Sequence, residues 1–319
     1  MTMPDATHPI ALPGLDGANS LGFLAALGTV RAATLYWPQH RVRMAWSTGD
    51  LGWRPELYLH PVLEQEELLA GLNEFLQQTD PLQVLADYKD LTIPIAAFRE
   101  AELAAAQTAT ATDRAAADFL AALGSDVVET QVNGKKNGLI ADTALRNTSG
   151  AGHQHFIGTM RTLIADTTIE HLHKTLFETW RYDDPLKNHS LRWDPMDDIR
   201  YALRWDNPKG DKNRKLSGSM WGANRLAIEA LPMLPTIPVK TRLETTGFTQ
   251  HKGQGTIWSW PLWNTPIGLD EIRSLLSHPM LMNETPDRHA LLAIGVMEIY
   301  RCRRITQGKY RNFTPAQPA

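Results

Sequence analysis

The chain has 319 residues, a net charge of −3 and 43% hydrophobic residues, which is ordinary for a globular protein that buries a core. No run of about 18 apolar residues occurs, so the sequence predicts no membrane span. Cys302 is the only cysteine, which excludes an internal disulfide and a zinc site built from several thiolates. The polar N-terminus lacks the features of a secretory signal, and together these properties predict a cytoplasmic protein.

Charge is unevenly distributed along the chain. Residues 1–130 hold 7 Lys and Arg against 17 Asp and Glu, whereas residues 131–319 hold 25 against 18. The first part therefore carries −10 and the second +7. Two interpretations are open: the surfaces differ by chance, or a basic surface binds a polyanion while the acidic one faces away or meets a basic partner. The sequence therefore predicts an acidic, helix-rich part with a small hairpin over residues 1–130 and a basic α+β part that faces nucleic acid over residues 131–319. The alternative is that both pack as one continuous domain.

The first predicted element is a buried helix over residues 19–33, which are apolar on nearly all sides. Asn19 or Ser20 can cap its free N–H groups. Gly22 and Gly28 lower helix propensity, and their expected use is the close approach of another backbone.

The remaining elements follow from hydrophobic periodicity and turn residues. Helices are predicted at 63–78, 94–107, 113–123, 154–165, 168–179, 219–231, 269–276 and 287–295. Strands are predicted at 41–46, 53–59, 239–246, 256–262 and 296–305, and a hairpin at 130–139. This order has no βαβ regularity, so the predicted class is α+β, with mixed helices, short antiparallel sheets and an irregular, loop-rich C-terminal part.

Three clusters of basic residues are candidates for binding nucleic acid. The first lies at the hairpin with Asn133-Gly134 at its turn. A tip that carries Lys and Asn can enter a groove and contact base edges, or it can be a simple polar turn. The residues of this cluster are Lys135, Lys136, Asn137, Arg146 and Asn147.

The second cluster is a polar loop over residues 208–219 together with the start of the helix that follows it. Such a loop can adapt to phosphates, and a helix N-terminus adds oriented N–H groups. The alternative is a solvated surface loop. The candidate residues are Lys209, Lys212, Arg214 and Lys215 for backbone phosphates, and Asn224 and Arg225 for the adjacent strand.

The third cluster closes the chain, with Tyr300, Tyr310 and Phe313 interleaved among its cations. Aromatic rings beside Arg and Lys stack on unpaired bases. The alternative is a C-terminal strand whose charges keep an edge soluble. The candidate residues are Arg301, Arg303, Arg304, Lys309 and Arg311.

No familiar catalytic, nucleotide-binding or dinucleotide-binding motif occurs, so the sequence predicts no catalytic residue, cofactor or metal. One carboxylate cluster offers an alternative, a divergent metal-dependent nuclease. Its residues are Asp194, Asp197, Asp198 and Asp206. Arginines lie among them, and Asp–Arg pairing with capping is the simpler interpretation.

Segments spread over most of the chain share the character of one protein family. Residues 15–28, LDGANSLGFLAALG, resemble the N-terminal signature of large-subunit-like CRISPR-associated proteins of type I-G (formerly I-U) systems. Downstream segments similar in character are WRYDDP at 180–185, LRWDP at 191–195, GANRLA at 222–227, WPLW at 260–263 and GKYRNFTP at 308–315.

The resemblance implies a non-catalytic subunit of an RNA-guided surveillance (Cascade) complex. Large subunits of such complexes contact the motif that flanks the target, help open the duplex and hold the displaced strand. The implied partners are other Cascade subunits, the CRISPR RNA, target DNA and a separate helicase-nuclease, with no membrane. Guide pairing supplies sequence specificity, so the subunit needs only a motif reader and a cationic track. An adaptor whose residues 1–130 recruit the helicase-nuclease is a further alternative.

Overall fold

The computed structural model describes residues 8–78, 80–110, 113–132, 135–148, 155–185, 189–197, 218–251, 253–307 and 310–319. Within them the fold is mixed α+β with several small antiparallel sheets, which confirms the predicted class. The main hydrophobic core extends from Leu12 to Phe313, so the acidic and basic parts share it. None of the described helices combines the length and apolar character needed to cross a membrane.

The described elements follow the predicted order closely. The helices are α1 (Ser20–Tyr36), α2 (Gln65–Gln78), α3 (Ile95–Thr108), α4 (Ala115–Leu123), α5 (Phe156–Asp166), α6 (Ile169–Phe177), α7 (Trp221–Ala230), α8 (Leu269–Leu276) and α9 (Arg288–Ala293). The strands are β1 (Ile10–Ala11), β2 (Arg41–Gly49), β3 (Gly52–His60), β4 (Gly124–Val132), β5 (Lys135–Asp142), β6 (Thr236–Val239), β7 (Arg242–Thr245), β8 (Phe248–His251), β9 (Gly255–Trp263), β10 (Val296–Gln307), β11 (Tyr310–Phe313) and β12 (Gln317–Pro318).

Helix α1 is the centre of the molecule, and the expectation of a buried helix is confirmed. The Asn19 side chain accepts a hydrogen bond from the N–H of Gly22 and so caps the helix. Helix α7 crosses α1 at Gly28, where a Cβ atom would lie only 1.7 Å from the carbonyl oxygen of Leu226. The close backbone approach expected of this glycine is therefore present.

Two sheets pack near α1. The smaller has the strand order β1-β3-β2, and the larger has the order β11-β10-β9-β8, with β12 pairing β10. The ring of Phe23 on α1 stacks on Trp46 of β2 and on Trp260 of β9, with ring centroids 5.9 and 5.6 Å apart. These aromatic contacts connect both sheets to the helix. In the larger sheet β10 is an internal strand, with β9 on one side and β11 on the other.

One predicted strand is wrong. The run 239–246 contains a turn, since β6 ends at Val239 and β7 begins at Arg242. Lys240 adopts a positive φ of 56° in that turn, a conformation that period-2 alternation does not reveal. The pairing of Thr236 with Thr245 then extends the hairpin toward the N-terminus, beyond the run that the sequence indicated.

The predicted hairpin at 130–139 is present and longer than expected. Strands β4 and β5 pair from Gly124 with Asp142 to Val132 with Lys135. The Asn133-Gly134 turn itself lies outside the described residues. The Lys135 end of β5 is exposed, whereas its other end reaches the core through Ile140.

Candidate nucleic-acid interface

Four predicted site residues from two clusters meet at one place, which we call the arginine junction (Arg146, Asn147, Arg304 and Arg311). Arg304 pairs with Phe313 across β10 and β11, and Thr306 pairs with Arg311. Opposed residues of an antiparallel pair share a face, so both arginines lie on the same face of this hairpin.

The two strand arginines converge on one carbonyl oxygen. Nη2 of Arg304 donates to the carbonyl of Arg146 at 2.6 Å, and Nη1 of Arg311 donates to the same oxygen at 3.4 Å. Nε of Arg304 lies 3.5 Å from Oδ1 of Asn147. Like charges are therefore held side by side where residues 146–147 meet the end of the large sheet.

Arg146 itself is neutralised within the fold. Its guanidinium pairs with Asp90 at 2.8 Å and with Asp142, and its side chain is almost fully buried. Burial alone would lower the pKa of Arg146, but the charges of Asp142 and Asp90 outweigh that effect and raise it. This arginine serves the structure by fixing the turn that carries its own carbonyl.

Arg304 and Arg311 differ from Arg146, because neither forms an ion pair with a carboxylate in the described parts of the chain. Burial, together with the charges of Arg311 and Arg146, lowers the pKa of Arg304 to about 10 against the opposing charge of Asp142. Arg304 is still cationic at neutral pH. Repulsion among these cations, which Asp142 offsets only in part, makes the junction electrostatically favourable for an anion.

Asn147 positions the junction from inside. Its side chain is buried, and Nδ2 donates to the carbonyl of Arg192 at 2.8 Å. These internal contacts use the amide group, so Asn147 orients the turn. Because the side chain is buried, it cannot make the base contact that the sequence predicted.

Two further predicted residues lie on the opposite face of β10. Arg301 pairs with Ser259 and Arg303 with Ile257, and successive residues of a strand alternate between faces. The Arg301 guanidinium donates to Ser259 Oγ at 3.0 Å and to the carbonyls of Leu281 and Glu284 at 3.0 and 2.8 Å. Arg303 is exposed, and no described residue bonds to its guanidinium.

The hairpin of β4 and β5 presents a modest cationic end. Lys135 and Lys136 are exposed, and Nζ of Lys136 lies 3.6 Å from Glu129. Oδ1 of Asn137 accepts a hydrogen bond from the hydroxyl of Thr130 at 2.6 Å. Asn137 therefore uses its side-chain oxygen inside the hairpin, although the residue is exposed together with the two lysines.

The prediction that Asn224 and Arg225 contact a nucleic-acid strand at the surface is wrong, because both are core residues. Arg225 is 1% exposed and donates to Glu229 and to the carbonyl of Leu76, both at 2.8 Å. Glu229 also accepts from Arg31 at 2.5 Å, and we call these three residues the core arginine network (Arg31, Arg225 and Glu229). Asn224 is fully buried. Helix α7 packs its inward face on α1, so neither side chain reaches a strand at the surface.

The remaining basic candidates stay predictions. Lys209, Lys212, Arg214, Lys215 and Lys309 lie outside the described residues, as do Asp198 and Asp206.

Asp194 is used inside the fold. It is 2% exposed, its Oδ2 accepts from the Tyr182 hydroxyl at 2.9 Å, and its Oδ1 accepts from the N–H of Met196 at 2.8 Å. Burial raises the pKa of Asp194 despite these donors and a further one from Asn19. No group of three metal-ligating side chains occurs among the residues that the structure describes.

No protein-family model, curated protein or solved structure matches this chain. Support for a function therefore comes from the geometry of this molecule and from the sequence resemblance. Sequence reasoning named each strand arginine of the junction, but it missed that Arg146 meets them and that its carbonyl is their common acceptor. No local signal reveals that contact, because 158 positions separate Arg146 from Arg304.

Proposed function

We propose that this chain is a non-catalytic nucleic-acid-binding subunit of a type I CRISPR surveillance complex in the cytoplasm. In this proposal it contacts target DNA and its flanking motif, and it stabilises the R-loop for a separate helicase-nuclease. The observation that supports strand binding is the arginine junction, where two arginines stand together without a described carboxylate partner. The family assignment is supported by the sequence resemblance.

A phosphate suits the junction for electrostatic and geometric reasons. An anionic oxygen between Arg304 and Arg311 would relieve their mutual repulsion, and guanidinium groups match phosphate with paired donors. The turn at Arg146 is already fixed by two carboxylates, so the junction is preorganised before a strand arrives. These features favour backbone binding, which carries no sequence information of its own.

Such a role is consistent with RNA-guided recognition. Pairing between guide and target supplies the sequence specificity, and the protein holds backbone and reads a short motif. Other Cascade subunits and the CRISPR RNA would complete the complex. In this proposal Lys135 and the basic loop at 209–215 extend the cationic track beyond the junction.

The strand-binding role is tested with the double variant Arg304→Gln/Arg311→Gln in the assembled complex. We expect at least a tenfold reduction of affinity for labelled DNA at low salt, because two cations no longer neutralise phosphates. The matched control is Arg114→Gln/Arg242→Gln, which also removes two arginines, each already paired with a neighbouring acid. Equal affinities for wild type and the junction variant would refute the assignment.

Membership of the complex is tested separately. The full chain is purified from its host with an affinity tag, and co-purifying proteins and RNA are identified. CRISPR RNA together with other Cascade subunits supports the proposal, and their absence contradicts it.

The nuclease alternative gains no support from the described residues, since both oxygens of Asp194 accept internal hydrogen bonds. Incubating the purified protein with labelled DNA or RNA and Mg²⁺ or Mn²⁺ provides the test. Cleavage that disappears in Asp197→Ala would replace the proposed function with an enzymatic one.

A further inference from the structure

A cleft lies on the face of β10 opposite the arginine junction. It occupies about 650 Å³, and its floor includes Ile257 of β9 and Arg303 of β10. The β8–β9 turn with Gln254 forms one wall, residues 284–285 form another, and the C-terminal segment at 314–317 forms a third. This volume falls within the range of small-molecule sites and exceeds the space that a bare phosphate needs.

The charge of the cleft favours an anion. Arg301 and Arg303 both line it, and Glu284 is the only carboxylate among the described lining residues. Arg301 is held by Ser259 and by the carbonyls of the 281–284 segment, so it fixes one wall in place. The guanidinium of Arg303 forms no bond to a described residue, which leaves its donors for a ligand.

The rest of the lining suits the uncharged part of a nucleotide. The amides of Gln254 and Gln317 and the hydroxyl of Thr285 can donate to and accept from base edges or sugar hydroxyls. Ile257, which is 6% exposed, and Pro315 supply the apolar part of the lining. Two arginines, several neutral hydrogen-bonding groups and a small apolar area together suit a phosphate ester whose remaining part forms hydrogen bonds.

We propose that this cleft binds a single nucleotide unit, with Arg303 on its phosphate and the amides and hydroxyls on its base and sugar. The unit has two possible sources, a free mononucleotide or the 5′-phosphorylated end of a strand. The proposal does not depend on strand binding at the arginine junction, since the two sites use opposite faces of β10.

The test uses the purified full chain and isothermal titration with AMP, inorganic phosphate and a 5′-phosphorylated oligonucleotide. Two variants change the cleft by different means: Arg303→Gln removes its exposed charge, and Gln254→Trp fills the space without changing charge. The control is Arg242→Gln, an exposed arginine paired with Glu244 on β7. Thermal unfolding checks that each variant remains folded.

We expect AMP or the phosphorylated oligonucleotide to bind wild type at least tenfold more tightly than either cleft variant, with the control unchanged. Binding of AMP that is weakened in both cleft variants assigns a free mononucleotide, and binding of the oligonucleotide alone that is weakened in them assigns a strand end. Three results would overturn the proposal: no binding of either probe, cleft variants that bind as tightly as wild type, or phosphate bound as tightly as AMP. A reduced strand affinity in Arg304→Gln/Arg311→Gln reports on the junction alone, so the two proposals fail separately.

Discussion

Arginines gather in two places in this molecule, and their surroundings are opposite. In the core arginine network, Arg31 and Arg225 share Glu229, and all three side chains are almost completely buried. At the arginine junction, Arg304 and Arg311 share only a carbonyl oxygen. Each arginine of the first group bonds directly to a carboxylate, whereas Arg304 and Arg311 bond only to carbonyl and amide oxygens among the described residues. The contrast suggests a criterion: a direct carboxylate partner, rather than the presence of arginine, distinguishes the structural cluster from the one that we propose binds an anion.

The strongest test of this contrast removes the compensating charge from the core. Glu229→Gln leaves Arg31 and Arg225 buried without an anionic partner, which costs about 3–5 kcal/mol of unfolding free energy. Urea denaturation measures the decrease. Glu244→Gln is the control, because its pair with Arg242 is exposed and contributes about 1 kcal/mol or less. A similar stability for both variants would mean that the core network is not held by compensation.

A smaller effect is expected when the junction loses a charge. Arg304→Gln removes donors to the carbonyl of Arg146 but also ends the repulsion from Arg311, so stability changes by about 1 kcal/mol or less. The matched core change, Arg225→Gln, costs about 2 kcal/mol or more because it removes donors from Glu229 and from the carbonyl of Leu76. Thermal and urea unfolding compare the two. Equal decreases in unfolding free energy for the two variants would contradict the distinction between the arginine junction and the core arginine network.

The smallest effect concerns an acidic group in residues 1–130 that is only partly compensated. Burial and the charge of Asp126 raise the pKa of Glu102 to about 7, although Arg99 opposes them. The folded-state pKa lies above the unfolded value near 4.5, so protonation stabilises the fold at low pH and that contribution is lost as pH rises through 7.

Glu102→Gln should therefore unfold with a weaker pH dependence between about pH 4.5 and pH 8, and it should be slightly more stable than wild type at about pH 8. Solvent screening of this half-exposed group limits the gain to about 1 kcal/mol. Urea unfolding at several pH values measures it. Parallel stability curves for the two proteins would show that Glu102 does not titrate differently on folding.

Local sequence patterns predicted most of the helices and strands. Helix α1 was predictable because its apolar run begins at a capping Asn19, and Gly28 marked the crossing of α7. The turn at Lys240 was not predictable from the sequence. A positive φ at one residue does not show in the polar pattern of the run 239–246, so that pattern does not distinguish a hairpin from a single strand.

The sequence predicted which basic residues form the candidate site, but it did not predict which of them meet in space. Arg225 follows the basic loop in sequence, which predicts a shared surface, yet α7 places its side chain against Glu229. Arg304 and Arg303 are adjacent in sequence, yet strand alternation sends one to the junction and the other to the cleft. Which arginine is compensated depends on contacts across the fold, such as Asp90 with Arg146, that periodicity does not encode.

The salt dependence of DNA binding tests the central claim most directly. For duplex DNA, the slope of log affinity against log salt changes by about 0.9 for each phosphate that the protein no longer neutralises. We predict that Arg304→Gln/Arg311→Gln flattens this slope by about 1 to 2, while Arg114→Gln/Arg242→Gln leaves it as in wild type. Identical slopes for all three proteins would contradict the claim that the arginine junction holds a nucleic-acid backbone.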